Sequence, residues 1–514
     1  WLRRNSVAVE RASDSKEIFR ELFHTYQESK ALKKVKTQPK PKPTKLEVVL
    51  LRVHQILASD IWKRGIPLIM ALVFLVWLYR KRTKQISVKK KAKFDAQKID
   101  GEYHCDVFIV GGGPAGSRCA YSLAKEGIRV LLAEKEPYPS DKICGDVVAP
   151  TVHDMLREMG VMHDLMQEGI GKWITSRGLV SPSGNSFVAE VGTMHDLSVQ
   201  RVLLDNLMKN AAVRQGADCV QLEVTNLIPP TAMNSYWSIE CKQPSGKTCT
   251  YHSRMVVAAD GATSNLSRSI GLVTSETNTI WSRSFVKPGS HKFGADFAIF
   301  HPPELSPGFF IVTREVENYL SLCCFVMPGG KVTPEDLPAV HRRIIKENER
   351  ISSIIGSDIQ MTEIQCVPVR VSGVHKCYAD QFVVVGSAAG HIDPLNGQGI
   401  QYAIIGANLA AKTILEGFKR GDLSATHLQR YQTRVDNAFG WDLWMSSFLA
   451  KILYYVPSIL DATAAMIKRN GKGPLKLWLA ARSGRGSKFQ FIRPDIILMI
   501  FVEFVYQTAK SKIK

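Results

Sequence analysis

One stretch constrains this chain more than any other: Asp106-Val-Phe-Ile-Val-Gly-Gly-Gly-Pro-Ala-Gly-Ser117, with Glu134 beyond it. Asp106 to Val110 is β-rich, Pro114 to Glu126 has helical character, and Arg129 to Ala133 reads as a second strand. Gly111 permits a tight turn out of the first strand. Gly113 lets the backbone approach a diphosphate, and Gly116, after Ala115, allows the helix to lie close to the strand. The helix N-terminus then meets the negative charge. Glu134 follows Gly111 by 23 residues, at the end of the second strand, where a carboxylate accepts from ribose hydroxyls. A lone G-x-G-x-x-G is a weak signal, but in the context of strand, turn, helix, strand and acid it predicts a dinucleotide site on an α/β sheet. The competing reading is a purely structural glycine turn.

Charge is distributed unevenly. The net charge is +20, and residues 1 to 100 hold 24 Lys or Arg against 9 Asp or Glu, a local +15 that leaves +5 for everything after them. A basic arm on a nearly neutral body suits an anionic membrane surface, and no zinc-finger, homeodomain or RNP-type motif accompanies it, so nucleic acid is not expected as a partner. The ten cysteines form no C-x-x-C pair and no regular spacing, and no H-E-x-x-H occurs among the 13 histidines. Reduced thiols, no disulfide framework and no metal are expected. Because it begins at Trp1, the chain is expected to be a fragment or a processed form.

The arm ends in Gln-Pro-Lys-Pro-Lys-Pro-Thr at 38 to 44, a linker by composition. An uninterrupted apolar run follows at Ile66 to Tyr79, short for a span but flanked by Lys63-Arg64 and Arg80-Lys81-Arg82. It reads as a membrane anchor, transmembrane or monotopic, with a soluble core helix as the alternative. Nine Lys or Arg lie in 80 to 98 and four in 45 to 65, which places the folded body on the cytosol-like side of a membrane. Further strands are predicted at Met255 to Ala259 and Phe382 to Val385, and helices at Val202 to Ala212, Ile400 to Leu415 and Leu428 to Phe439. Shorter alternating runs in 171 to 200 and 281 to 370 predict a second, more antiparallel sheet. In the tail, Trp441, Trp444, Phe448, Ile452 and Tyr455 recur at helical spacing, and a last apolar run covers Ile496 to Tyr506. These are either domain-capping helices or a membrane-facing surface.

Val256-Val-Ala-Ala-Asp-Gly-Ala-Thr-Ser264 and Phe382-Val-Val-Val-Gly-Ser-Ala-Ala-Gly-His-Ile-Asp-Pro-Leu-Asn-Gly-Gln-Gly-Ile400 resemble the second and third fingerprints of FAD enzymes related to p-hydroxybenzoate hydroxylase. Within that superfamily, Glu134-Lys-Glu-Pro-Tyr-Pro-Ser-Asp-Lys-Ile-Cys-Gly-Asp146 resembles the geranylgeranyl reductase family, and the resemblance runs from about 104 to 415. It implies FAD as cofactor, with NADPH or another electron donor. It assigns Glu134 to the adenosine ribose, Arg201 to the flavin phosphate or ring region, Asp260 and Gly386 to the fingerprint turns, and Gly399-Ile400 to the isoalloxazine, with Cys144-Gly145 beside the ring. Ser387 stands where the family has Asp; a hydroxyl hydrogen-bonds without charge, and Asp393 or water is the candidate replacement. The family's aromatic substrate stretch is not intact, and Pro307 to Val312 and Phe325 to Pro328 are its candidate remnants. Cys144 is either an inert small residue in a flavin loop or a thiol that donates the proton accompanying hydride delivery. His391, beside the flavin loop, reads as structural rather than as a base.

The expected fold is α/β: a Rossmann-like FAD-binding domain (104–170, 201–280, 371–440) with an inserted, mainly antiparallel-sheet substrate domain (171–200, 281–370). An N-terminal membrane-anchor helix (66–79 within 1–100) and a helical C-terminal tail (441–514) complete it. The implied activity is reduction of a carbon-carbon double bond in a polyprenyl lipid, prenyl diphosphate or quinone side chain, by a membrane-associated flavoprotein. The alternatives are a lipid monooxygenase with the same fingerprints and a flavoprotein fold kept as a structural subunit.

Overall fold

Val107, Phe108 and Ile109 are all fully buried, as befits a strand covered on both faces. At roughly 1.5 to 3 kcal/mol for each such side chain, their burial outweighs the extra ~1 kcal/mol of ordering entropy that each of the three following glycines carries. The computed structural model describes residues 97–99 and 102–513, apart from 193–194, 233, 273–276, 357–358, 374–375, 471, 483 and 485. The anchor expected at 66–79, with the arm before residue 97, lies outside the described residues.

The first sheet has nine strands. Its main path runs Glu223–Ile228, Trp237–Lys242, Thr248–Ala258, Glu102–Val110, Val130–Glu134, Asp218–Gln221. The last four of these are mutually parallel, and Phe382–Val384 pairs in parallel with the end of Thr248–Ala258. Helix Pro114–Lys125 lies between helices Arg201–Arg214 and Ile400–Arg420 and buries Ala115, Cys119, Ala120 and Leu123. All three glycine-bearing turns, after Val110, Ala258 and Val384, therefore leave the same end of neighbouring parallel strands.

The second sheet has seven strands in the order Gln365–Val369, Thr279–Val286, Leu320–Val326, Gly308–Arg314, Phe297–Phe300, Ser176–Val180, Ser186–Glu190. Every pairing is antiparallel except Phe297–Phe300 with Ser176–Val180. Its two faces separate by the period of two. Phe310, Val312, Leu322 and Cys324 pack with Leu337, Ile344 and Ile351 of two covering helices. Phe309, Ile311, Cys323 and Phe325 turn the other way, toward Ile392 and Leu395 of the loop after Phe382–Val384. Lys172–Ile174 and Asp196–Ser198 do not join this sheet. They pair with each other, and Asp196–Ser198 also pairs with Val147–Val148, in a small separate sheet. The cause is the Cys144–Asp146 loop, whose Asp146 carbonyl accepts from Val199 N–H and draws these strands to it.

The tail forms helices Trp441–Tyr455, Pro457–Asn470, Lys472–Arg482 and Pro494–Ile513, with a short 3-10 turn at Lys488–Ile492. Ala464, Ile467, Trp478 and Leu479 pack on Leu179 and Phe187 of the second sheet. Among the described residues, no single helix is long and apolar enough to cross a membrane.

Candidate active site

The glycine loop is fixed by contacts that no side chain would survive. Gly111 has φ +99°, and a Cβ there would lie 2.3 Å from Ala259 O; one on Gly116 would lie 1.8 Å from Gly111 O. Gly113 differs: the nearest atom to a Cβ would be Arg201 Nη2, 3.8 Å away, so room remains beside it. Helix Pro114–Lys125 starts at Gly113 without a side-chain cap, leaving its first-turn N–H groups open to a diphosphate. Glu134 is buried at the end of its strand, where its Oε2 accepts from Gly112 N–H at 2.9 Å and its Oε1 from Glu136 N–H at 3.2 Å. It thus stands beside the glycine loop, at the end of the strand paired with the one that enters it. Asp260, in the neighbouring turn, has a buried Oδ1 with no hydrogen-bond partner, and burial pushes its carboxyl up to about 6 against the pull of Ser264. A cradle with open donors at one turn and an orphaned acceptor at the next fits a dinucleotide.

Arg201 begins its helix with a bidentate pair to Asp205, 2.7 Å for each bond, at the position between Gly113 and Cys144. Sequence reasoning missed Asp205, although an i,i+4 acid was there to be read. It also missed Tyr138, whose hydroxyl donates to Gly112 O at 2.6 Å and would clash with any Cβ on Gly112.

At the other end of the cradle, Gly386 (φ +65°) packs on Ala115, Ser387 lies in the turn Gly386–Ala389, and Gly399 starts helix Ile400–Arg420 without a side-chain cap. Asp393 does not replace the acid missing at Ser387. Its Oδ1 accepts from Leu395 N–H at 2.8 Å, and its Oδ2 is 2.9 Å from the ammonium of Lys488, a tail residue buried with it. His391 is buried, burial pushes it down to about 3, and its Nδ1 has no hydrogen-bond partner, so the ring is neutral at pH 7.

The Cys144–Asp146 loop is tied to the second sheet. Thr313 donates to Gly145 O at 3.3 Å, Cys323 to Cys144 O at 3.3 Å and Ser321 to Asp146 Oδ2 at 3.2 Å, while Arg283 lies 3.5 Å from the same carboxylate. Burial pushes Cys144 above the usual thiol range, with Arg201 opposing and Asp146 adding to the rise, so the thiol holds its proton at neutral pH. Burial also raises Asp146, against Arg283 and Arg201, and raises Glu315, which faces Asp146 and Ser198.

Phe325 stands beside this loop; a Cβ on Gly145 would lie 3.6 Å from its ring, and one on Gly397 of the flavin loop 3.1 Å. It stacks on Phe309 at 4.9 Å between centroids, and Phe309 meets Tyr454 at 5.9 Å. The two segments named as aromatic remnants are thus cross-strand partners, Phe309 opposite Phe325. Beyond the stack lies a cavity of about 750 Å3. Leu395 and Asn396 of the flavin loop line one part of it, Ile299 and Tyr454 its side, and Ile497, Phe501 and Phe504 of the last helix its outer part. Neither Cys144 nor the Phe309–Phe325 pair is in its lining; Tyr454, which meets Phe309, is.

Comparison with known proteins agrees with this geometry. The FAD binding domain family matches residues 104–445. Conditioned medium factor receptor 1 of Dictyostelium discoideum is 38% identical over 442 residues, covering 82% of this chain and 86% of the relative. Digeranylgeranylglycerophospholipid reductase 2 of Methanopyrus kandleri is 29% identical over 348 residues, 65% of this chain and 83% of that enzyme. Among solved structures, a geranylgeranyl bacteriochlorophyll reductase-like protein of Thermoplasma acidophilum superposes with a TM-score of 0.62 at 20% identity, covering 76% of this chain and 98% of that one. A p-nitrophenol 4-monooxygenase of Pseudomonas putida gives 0.61 at 17% identity, covering 74% and 99%. At such identities these two show the fold alone.

Proposed function

We propose, from the premise that this chain belongs to the FAD binding domain family and is an FAD-dependent oxidoreductase, that it reduces a carbon-carbon double bond in an isoprenoid or lipid chain. The observation that carries this reading is the apolar cavity of about 750 Å3 that ends on Leu395 and Asn396 of the flavin loop. A chain of repeated methyl-branched alkenes fits so largely aliphatic and aromatic a lining, whereas a small polar aromatic acid would find there an ammonium, Lys488, already paired with Asp393 and Asp442. The Cys-Gly pair at 144–145 and the digeranylgeranylglycerophospholipid reductases among its relatives support the same class.

FAD, when bound, supplies hydride transfer, and an external donor, NADPH or another, restores the electrons. Saturating one double bond takes a hydride and a proton. Cys144 is the proposed proton donor, since its thiol is protonated at neutral pH and lies next to Arg201. Cys144 lies outside the cavity lining, so its proton reaches the reacting carbons only when the substrate chain extends past Leu395 and Asn396 or the Cys144 loop moves toward them. Arg201, held by Asp205, fixes the phosphate side of the cradle, and the apolar walls keep water from the reacting carbons. Attachment to a membrane through 66–79, with the flavin domain on the cytosol-like side, belongs to this proposal.

The test is anaerobic incubation of the reduced protein with polyprenyl lipids, prenyl diphosphates and prenylquinones, read by mass. A gain of two mass units per double bond supports the reading. Turnover only with oxygen, with an added oxygen atom in the product, would replace it by a lipid monooxygenase.

A further inference from the structure

Phe448, Ile492, Ile497 and Phe501 line the cavity and are also exposed, so they mark its mouth. The surface around that mouth is apolar too. On helix Trp441–Tyr455 the outward positions are Trp441, Trp444, Phe448, Lys451 and Tyr455, spaced three and four apart along one face. On helix Pro494–Ile513, Leu498, Phe501 and Val502 are 61, 60 and 59% exposed, while Glu503 is turned inward toward Arg469 at 3.4 Å. A helix arranged for water presents these residues the other way round. Thirteen of the seventeen exposed large apolar side chains among the described residues lie between 441 and 506, and soluble monomers rarely leave so continuous a patch bare.

Charge identifies the occupant. Residues 441–514 carry twelve Lys or Arg and four Asp or Glu, a net +8, whereas 101–440 carry 31 and 34, a net −3. Two copies meeting through their tails would bring two net positive segments together. An anionic surface is attracted to such a segment, and aromatic and basic side chains bordering an apolar stripe are the makeup of helices that lie in a bilayer interface.

We propose that the tail docks on an anionic phospholipid bilayer through helices Trp441–Tyr455 and Pro494–Ile513, setting the cavity mouth against the acyl layer. A lipid chain then moves from bilayer to flavin loop without crossing water. This second step rests on the reductase reading; the docking does not.

The experiment is hydrogen exchange on the full FAD-loaded chain, alone, with phosphatidylcholine vesicles, and with vesicles containing three parts phosphatidylserine in ten. The expected result is at least tenfold slower exchange in peptides covering 441–455 and 494–506 on the anionic vesicles, lost in the triple variant Leu498→Glu, Val502→Glu, Val505→Glu, none of which lines the cavity, while its flavin absorption is unchanged. Unchanged exchange in these peptides when the protein sediments with the vesicles would overturn the proposal. So would protection that follows protein concentration and ignores lipid, which would mean a second copy. In the same variant, reduction of a polyprenyl lipid should fall at least tenfold in vesicles and stay unchanged in detergent micelles. An equal fall in both refutes the bilayer route. If the wild type reduces neither while the tail is protected, the reductase reading fails and the docking stands.

Discussion

Replacing Lys488 by Met tests whether the tail holds the flavin loop. The Lys488 side chain is 1% exposed, and its ammonium pairs with Asp393 at 2.9 Å, with Asp442, and with the Tyr402 hydroxyl at 3.2 Å. Asp442 is 21% exposed and can be hydrated once the ammonium is gone; Asp393 is fully buried and cannot. Removing one partner of a buried pair costs about 3 to 5 kcal/mol, because the other charge is left in a low-dielectric site. Asp393 is also the hub of its loop, accepting from Gly397 N–H at 2.9 Å and donating its own N–H to Gln398 O at 2.9 Å. Placed on the loop's ordered state, that penalty lowers its population by a factor of roughly 10² to 5 × 10³. FAD titration and flavin release on heating measure it: Lys488→Met should weaken FAD at least tenfold, and adding Asp393→Asn should restore most of the loss, since Asn keeps the bond from Leu395 N–H without the charge. If the double variant binds no better than Lys488→Met, the uncompensated carboxylate is not the cause and the reasoning fails.

Glu134→Ala removes a charge-assisted hydrogen bond worth about 1.5 to 3 kcal/mol, so FAD should bind roughly 10- to 150-fold more weakly in the same titration. Gly116→Ala would force a methyl group to within 1.8 Å of Gly111 O, and the purified protein should be colourless or insoluble. Asp260 has a folded-state value raised to about 6 from 3.8, so its ionised form opposes folding: the stability it allows is present below about pH 4 and falls by up to about 3 kcal/mol as pH rises through 6. Asp260→Asn should therefore raise the melting temperature of the FAD-free protein at pH 7.5 and leave it unchanged at pH 4. Cys144→Ala should keep FAD and its reduction by the donor yet lose alkene turnover by about 10²-fold in stopped-flow separation of the two half-reactions; undiminished turnover would leave the cysteine as an inert loop residue.

The glycine cradle was legible because each glycine answers to a backbone constraint that appears in a short window: a positive φ at Gly111, a contact with Gly111 O at Gly116. The alternating strands were legible for the same reason, since Phe309 and Phe310 must face opposite ways. Longer-range pairings left no such trace. Lys488 reaches Asp393 across 95 residues, and Arg283 reaches Asp146 across 137, with no periodicity to link them. The helical spacing of Trp441, Trp444 and Phe448 showed that they share a face, but period alone does not say whether that face is buried. Their own exposure settles it, and on the last helix Glu503 lies inside while its apolar neighbours Phe501 and Val502 lie outside.

These buried charges give the site its connections. The loop carrying Cys144 is held to the second sheet by Ser321, Cys323 and Arg283, so its position follows the sheet whose Leu179 and Ile299 line the cavity. The flavin loop is held to the tail by Lys488, which precedes Ile492 at the cavity mouth by only four residues. A displacement of the short turn Lys488–Ile492 at its exposed end is therefore transmitted to Asp393 through one side chain. Electrostatics makes that connection close to all-or-none: a fully buried carboxylate has no intermediate solvent to lean on, so the loop is either ordered against Lys488 or released. Seating of the tail and order in the flavin loop should consequently change together, and the side chain that joins them lies outside the region matched by the family.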